Sequence, residues 1–382
     1  MSRLPTAAKH ARIPTLDGWR AVAIAGVLCA HIRWPIPALS QFFVNGVLGV
    51  QLFFALSGFL ITSRLLEEHD QTGGISWKSF YLRRAFRILP PAFFVLLILA
   101  LLGRGFHLIP MSADQLAASA FFYRNYLYGV VGSAWYTGHF WSLAVEEHFY
   151  LVWPAILCIV GMARGARTAL TLACIAFVWR IADGHFDWIG HLQPAFHGNR
   201  FRTDYCIGEL FWGCALAFLW RSSAGRTALR KVVRSHWVVG VVLLQAMLLH
   251  FKPRWYESGV EILMALLPLI TVADPQGIIS RVLETPVLAW IGRLSYSLYL
   301  WQQLFLPPFW RPLDLGIIQQ LPLNLTAVFA SASFSYYFVE RPFIRLGRRL
   351  QSRNAVVRYR VSQEPVSSQV VLENRVGGPA QR

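Results

Sequence analysis

The chain has 382 residues, of which 55% are hydrophobic and 14% charged, with a mean hydropathy of +0.44. Soluble domains carry roughly 25% charged residues, so this composition excludes an ordinary soluble protein and places the chain among polytopic membrane proteins. The net charge of +17 does not make a nucleic-acid surface, because the basic residues sit in alternate loops, as positive-inside topology distributes them.

Apolar runs predict about ten spanning helices, near residues 16–33, 47–66, 88–103, 140–162, 168–182, 205–221, 236–250, 258–273, 286–306 and 318–339. The first run lacks a small-residue cleavage site and reads as a retained helix, not a signal peptide. Lys and Arg set the orientation. With the N-terminus inside, the inside segments hold Arg3, Lys9 and Arg12, then Arg64, Lys78, Arg83, Arg84 and Arg87, then Arg164 and Arg167. Arg221, Arg226, Arg230, Lys231, Arg234, Arg281 and the tail from Arg341 complete that set, and the outside segments hold far fewer. The expected fold is an all-α integral membrane protein of about ten transmembrane helices with both termini cytoplasmic. Residues 1–350 form the membrane domain, and 351–382 a polar, flexible cytoplasmic tail. The five cysteines lie in or beside apolar runs without metal-ligand or disulfide spacing, and read as packing residues.

The stretch TLDGWRAVAIAGVLCAHI, residues 15–32, carries ionisable groups on an apolar helix. Arg20 and His31 are eleven residues apart. That is within ~20° of three full turns, so both lie on one face about 16 Å apart along the axis. Asp17 and Arg20, at i and i+3, pair at the helix entrance. Taken singly, each is explained as an interfacial anchor. Together on one face, they point into protein or a polar cavity, because ionisable groups are costly in a bilayer.

In the second run, GVLGVQLFFALSGFLIT, the residues Gly46, Gly49, Ser57 and Gly58 give a small-residue surface for close packing. Ser57 serves that surface or offers its hydroxyl to a ligand. The following loop ends YLRRAFRILPP. Arg83, Arg84 and Arg87 are positive-inside anchors or a phosphate clamp, since guanidinium forks match phosphate oxygens. Pro90 and Pro91 would then fix how the chain enters the membrane. The fourth run begins GHFWSLAVEEHFYLVWP and crowds Trp141, Ser142, Glu146, Glu147, His148 and Tyr150 together. Glu146 and Glu147 point about 100° apart, so one pairs with a cation such as Arg20 or His31 while the other faces a cavity.

The outside segment 183–204 holds Asp183, His185, Asp187, His191, His197, Arg202 and Asp204. Its His spacings are irregular, so no metal is expected, and Arg202 and Asp204 are candidates for a polar mouth that meets an acceptor. Glu209 adds a further buried carboxylate. The ninth run, WIGRLSYSLYLWQQLF, supplies Tyr296 among hydroxyls that line a pore or tie helices together.

The ordered motifs LDGWRAVAI…H, GVLGVQLFFALSGFLIT, YLRRAFRILP, WSLAVEEHFYLVWP, RFRTDYCIGEL, GRLSYSLYLWQQ and FVERPF resemble the acyltransferase-3 family, over roughly residues 13–346. Those integral membrane enzymes modify envelope polysaccharides, Nod factors, peptidoglycan and macrolides. The resemblance implies ten helices and transfer of an acyl group, usually acetyl, from cytoplasmic acyl-CoA to a hydroxyl, often on the far side. The family's basic residue followed ten residues later by histidine falls on Arg20 and His31, its double-arginine motif on Arg84 and Arg87, and its helix-4 carboxylate on Glu146, with Glu147 beside it. At the position where the ninth helix often has His after Leu-Trp, this chain has Gln302, so no acid–base role is assigned there. Family fusions sometimes carry a hydrolase-like extension; without one, the membrane domain is expected to handle the acceptor alone.

The resemblance therefore implies Arg84, Arg87 and Arg83 holding the phosphates of acetyl-CoA or another acyl-CoA. His31 acts as general base or transient acyl carrier, and Glu146 orients or charge-stabilises its imidazole. Asp17, Glu147, Ser57, Trp141, Ser142 and Tyr296 support the site. The expected partners are membrane lipid, the acyl-CoA and a carbohydrate or small hydroxylated acceptor, with no metal and no nucleic acid. The expected location is the bacterial plasma membrane. The rival reading is a transporter or flippase of a lipid-linked glycan, against which stands the lack of an inverted repeat or paired broken helices. Acceptor identity, acyl length and oligomeric state are not encoded legibly.

Overall fold

Backbone N–H and C=O groups find no partner in hydrocarbon, so an apolar chain of this composition satisfies them within helices. The computed structural model describes residues 14–36, 39, 46–127, 135–234, 256–309 and 311–351; among them helix dominates and no strand occurs. In chain order the principal helices are α1 (Pro14–His31), α2 (Val47–Thr72), α3 (Trp77–Ala100), α4 (Ala113–Ala120), α5 (Phe140–Val160) and α6 (Met162–Phe186). They continue as α7 (Gly208–Arg221), α8 (Ser223–Arg234), α9 (Tyr256–Ala273), α10 (Ile278–Leu283), α11 (Pro286–Phe305) and α12 (Leu323–Phe334). A π turn extends α3 through Leu101–Gly105, and another extends α12 through Ser335–Glu340. A single turn, Trp135–Gly138, leads into α5.

The predicted runs fall on these helices, apart from 236–250, which lies outside the described residues together with 1–13 and the tail from 352. Among the described residues, four helices are long and apolar enough to cross a bilayer: Val47–Thr72, Trp77–Gly105, Trp135–Val160 and Met162–Phe186. α1 and α11 have 18 and 20 residues but carry polar faces. α3 starts eleven residues before the predicted 88, so Pro90 and Pro91 lie inside the helix and do not mark its entrance. The early part of α3 is basic and amphipathic, which hides it from a search for apolar runs. Arg83, Arg84 and Arg87 are therefore helical, and Arg84 and Arg87 share a face. α6 also starts early, because Gly161 alone separates it from α5 and takes φ 76°, which only glycine adopts without strain.

Glycine lets the central helices touch backbone to backbone. α1 packs against α11 and α2, α2 against α7, and α7 against α6. A Cβ on Gly292 would stand 1.8 Å from the Asp17 carbonyl oxygen, and one on Gly58 would stand 2.0 Å from that of Leu210. A Cβ on Gly213 would meet the Ala55 carbonyl oxygen at 2.2 Å. Such approach is what a small-residue surface supplies between helices that gain nothing from hydrophobic transfer in lipid. It bears out the reading of Gly49 and Gly58 as packing residues, with Gly49 seated on Ala23 of α1.

Gly58→Ala should lower the thermal unfolding temperature in detergent and the folded yield, because the Leu210 carbonyl is backbone and cannot turn away. Gly259→Ala, where a Cβ meets nothing within 4 Å, should be neutral or stabilise by up to about 1 kcal/mol through helix propensity. Equal melting of the two variants would refute the close-packing account.

Candidate active site

His139, Ser142, Glu146, Tyr150 and Trp153 recur at spacings of three and four along α5 and the turn before it, so they form one face. Each finds a partner on another helix, and the result is a polar column inside the bundle. His31 and His139 stand at one end of it. Arginines gather at the other.

At the histidine end, His31 closes α1, and its Nδ1 lies 2.7 Å from the Val27 carbonyl oxygen. A carbonyl only accepts, so Nδ1 carries a proton, and in the neutral ring Nε2 keeps its lone pair. The ring lies 5.3 Å from the Trp135 ring, centroid to centroid. Trp135 Nε1 donates to the Gln303 carbonyl at 2.7 Å. The Gln303 side-chain oxygen accepts from the His139 backbone N–H at 2.9 Å and lies 2.7 Å from His139 Nδ1. The Tyr299 hydroxyl donates to the His139 carbonyl at 3.1 Å and lies 2.6 Å from Ser142 Oγ.

Midway along the column, Ser57 of α2 donates to Glu146 Oε1 at 2.7 Å, and the Tyr150 hydroxyl lies 3.4 Å from Ser57 Oγ. Trp141 is buried between Phe201, 4.7 Å away, and Phe54, 5.9 Å away. At the arginine end, the Arg84 guanidinium lies over the Tyr150 ring at 4.4 Å. Arg20 is within electrostatic reach of Asp17, Glu146, Glu340 and Arg87. Arg64, which keeps an accessible side chain, faces Arg84, Arg87, Arg20 and Arg83. Glu340 is buried, accepts from Ser297 at 3.0 Å and feels Arg87 and Arg20. The Tyr296 hydroxyl donates to the Ile88 carbonyl at 2.9 Å, joining α11 to α3. The guanidiniums of Arg20, Arg64, Arg84 and Arg87 converge here from three helices, and their forks match the oxygens of a polyanion.

The structure redistributes several roles expected from sequence. Glu146 bonds Ser57 and not His31; the Val27 carbonyl, one turn back on the same helix, orients the imidazole by accepting from it with a second lone pair. Arg83 turns to Glu68 at 3.0 Å, leaving Arg84 and Arg87 as the inward arginines. Glu147 is half-buried beside Arg84. Arg202 is buried and bonds Asp183 at 2.5 Å and Asp204 at 2.9 Å, while Trp179 donates to Asp204 at 2.9 Å. These contacts tie the segment between α6 and α7 into a closed network. Among the described residues, no three His, Cys, Asp or Glu side chains converge as a metal-ligand group.

His139, Gln303 and Arg64 were missed. Gln303 adjoins the Gln302 noted at the family's histidine position, and its side chain is the one that reaches His139. The signal available for His139 was its place three, seven and eleven residues before Ser142, Glu146 and Tyr150, on the same face.

The chain matches the acyltransferase domain family over residues 13–340. It belongs to that family. Among relatives, O-acetyltransferase OatA of Staphylococcus aureus NCTC 8325 is 31% identical over 358 residues, covering 88% of this chain and 58% of the relative. Peptidoglycan O-acetyltransferase OatA of Listeria monocytogenes is 26% identical over 374 residues, covering 88% and 56%. The chain thus spans a little over half the length of the curated acyltransferases it matches. No solved structure matches.

Away from the column, Arg180 of α6 bonds Glu209 at 2.7 Å and Glu261 at 2.6 Å, and Gln51 donates to Glu209 at 3.0 Å, all buried. This cluster joins α2, α6, α7 and α9. Arg180→Met should destabilise the protein by about 3–5 kcal/mol, because two carboxylates lose their cation in a dry interior. Unchanged melting in detergent would count against a structural role for the cluster.

Proposed function

We propose that the chain is a membrane-bound O-acyltransferase that moves an acyl group, most simply acetyl, from cytoplasmic acyl-CoA to a hydroxyl of a carbohydrate or related acceptor at the outer half of the membrane. Family membership and the O-acetyltransferase names of the relatives support the reaction class. The single observation that carries the donor side is the group of Arg20, Arg64, Arg84 and Arg87 at one end of a polar column, with the bare Nε2 of His31 toward the other. Positive-inside placement puts the arginine end in the cytoplasm, where acyl-CoA is made.

On this reading Arg84 and Arg87 hold the donor phosphates, with Arg64 and Arg20 adding charge. The thioester arm lies along the column past Tyr150 and Ser57. Nε2 of His31 takes the proton of the acceptor hydroxyl as its oxygen attacks the thioester carbonyl. The tetrahedral intermediate collapses by breaking the carbon–sulfur bond, and the imidazolium returns the proton to the leaving thiolate. An acyl group carried transiently on Nε2 gives the same net reaction in two steps. Val27 and Trp135 hold the ring; Glu146, tied to Ser57, balances Arg84 and Arg20.

His31→Ala should abolish CoA release from acetyl-CoA by protein in nanodiscs while its melting curve is kept. Turnover at the parent rate would overturn the role of His31. Arg84→Ala and Arg87→Ala should each raise the donor KM by about tenfold or more, the worth of one charge-assisted hydrogen bond. Arg83→Ala, with its guanidinium already given to Glu68, should change it little. A larger effect at Arg83 than at Arg87 would reverse the assignment of the clamp.

A further inference from the structure

His139 is a second imidazole at the histidine end of the column, and its tautomer is fixed by its partners. The backbone N–H of His139 only donates, so the Gln303 atom 2.9 Å from it must be the amide oxygen. That same oxygen lies 2.7 Å from His139 Nδ1, which must therefore carry the proton. In the neutral ring Nε2 is left with a lone pair. It is buried in a side chain only 2% exposed, and it has no hydrogen-bond partner among the described residues. A buried acceptor without a donor is costly in a folded protein, and one that stands at the histidine end of the column is placed for a ligand group to complete its bonding.

The surroundings point the same way. Trp135 and His139 are i and i+4, one turn apart. Trp135 packs on His31 and donates to the Gln303 backbone carbonyl, and the Gln303 side chain in turn bonds His139. His31 from α1 and Arg124 from the loop after α4 lie within electrostatic reach of the His139 ring. Tyr299 stands edge-on to it at 5.5 Å, Phe140 lies at 4.8 Å, and the Leu300 carbonyl lies beside it. The column therefore ends in two imidazoles linked through Trp135 and Gln303, each with Nδ1 committed to a protein carbonyl oxygen, so that in the neutral ring Nε2 is bare.

We infer that the two imidazoles read two adjacent hydroxyls of one acceptor: His31 Nε2 takes the reacting hydroxyl, and His139 Nε2 accepts a hydrogen bond from its neighbour. The inference rests on the proposed acyl transfer and narrows its acceptor to a vicinal polyol, the hydroxyl pattern of a sugar ring. It makes His139 a specificity-determining residue, because an acceptor with a single hydroxyl leaves Nε2 unpaired, and an unpaired buried polar group discriminates strongly against an analogue lacking its partner.

The test uses ethylene glycol and ethanol at equal concentration as acceptors for acetyl transfer from acetyl-CoA, with the full chain in nanodiscs. The readout is the ratio of glycol monoacetate to ethyl acetate per hydroxyl, in which changes of overall rate cancel. The parent protein should favour the glycol by about tenfold, the worth of one hydrogen bond to a buried acceptor. His139→Phe should bring the ratio to about one, and His139→Gln, which keeps an acceptor atom, should retain part of the preference. A ratio unchanged in His139→Phe, or no preference in the parent, would overturn the inference while leaving acyl transfer standing. No acetyl-CoA consumption by the parent protein would instead remove the proposed function, and this inference with it.

Discussion

An ionised side chain inside a bilayer has lost its water, and every such group must be repaid by protein partners or by a ligand. That constraint sorts the interior of this bundle. Arg180 is repaid by two carboxylates and Arg202 by two aspartates, each cation held by carboxylates of its own cluster. The arginines around Arg84 and the Nε2 atoms of the two histidines are repaid only in part. Chemistry in a membrane enzyme has to work with groups of this second kind, since a fully satisfied group has nothing left to offer a substrate. The column on α5 collects them because its polar residues share one helical face.

Glycine makes the column possible. The backbones of α1 and α11 meet at Gly292, and those of α2 and α7 meet at Gly58 and Gly213. This close approach holds the walls so that Ser57, Glu146, Tyr150 and Arg84 fall within bonding distance of one another. The helix crossings and the site are one construction: a bulkier residue at Gly292 would displace α1, and His31 with it.

Much of this was legible in the chain. Apolar runs fell on most of the described helices, with the start of α3 eleven residues out, and the eleven-residue spacing of Arg20 and His31 put both on one face of α1. What was not legible depended on partners that spacing does not record. Glu146 was read as the partner of His31, but the last turn of α1 supplies Val27 from its own backbone. Arg83, Arg84 and Arg87 look alike in sequence; only the position of Glu68 on α2 removes the first of them. The start of α3 was hidden because its first turns are basic and amphipathic. Spacing puts His139 on the polar face, but its bond to Gln303 spans 164 residues and leaves no local pattern.

The separation of Arg20 and His31 has a consequence of a different kind. Both sit on one rigid helix, about 16 Å apart along its axis. On the proposed reading that rise acts as a gauge. A donor anchored by its charged head reaches the imidazole only if a slender arm of about that length carries the reactive carbonyl. Short anions would fill the arginine end without ever presenting a carbonyl to His31, and would behave as plugs. Selection of the donor is thereby built into the length of a helix, independent of any pocket shaped to its acyl group.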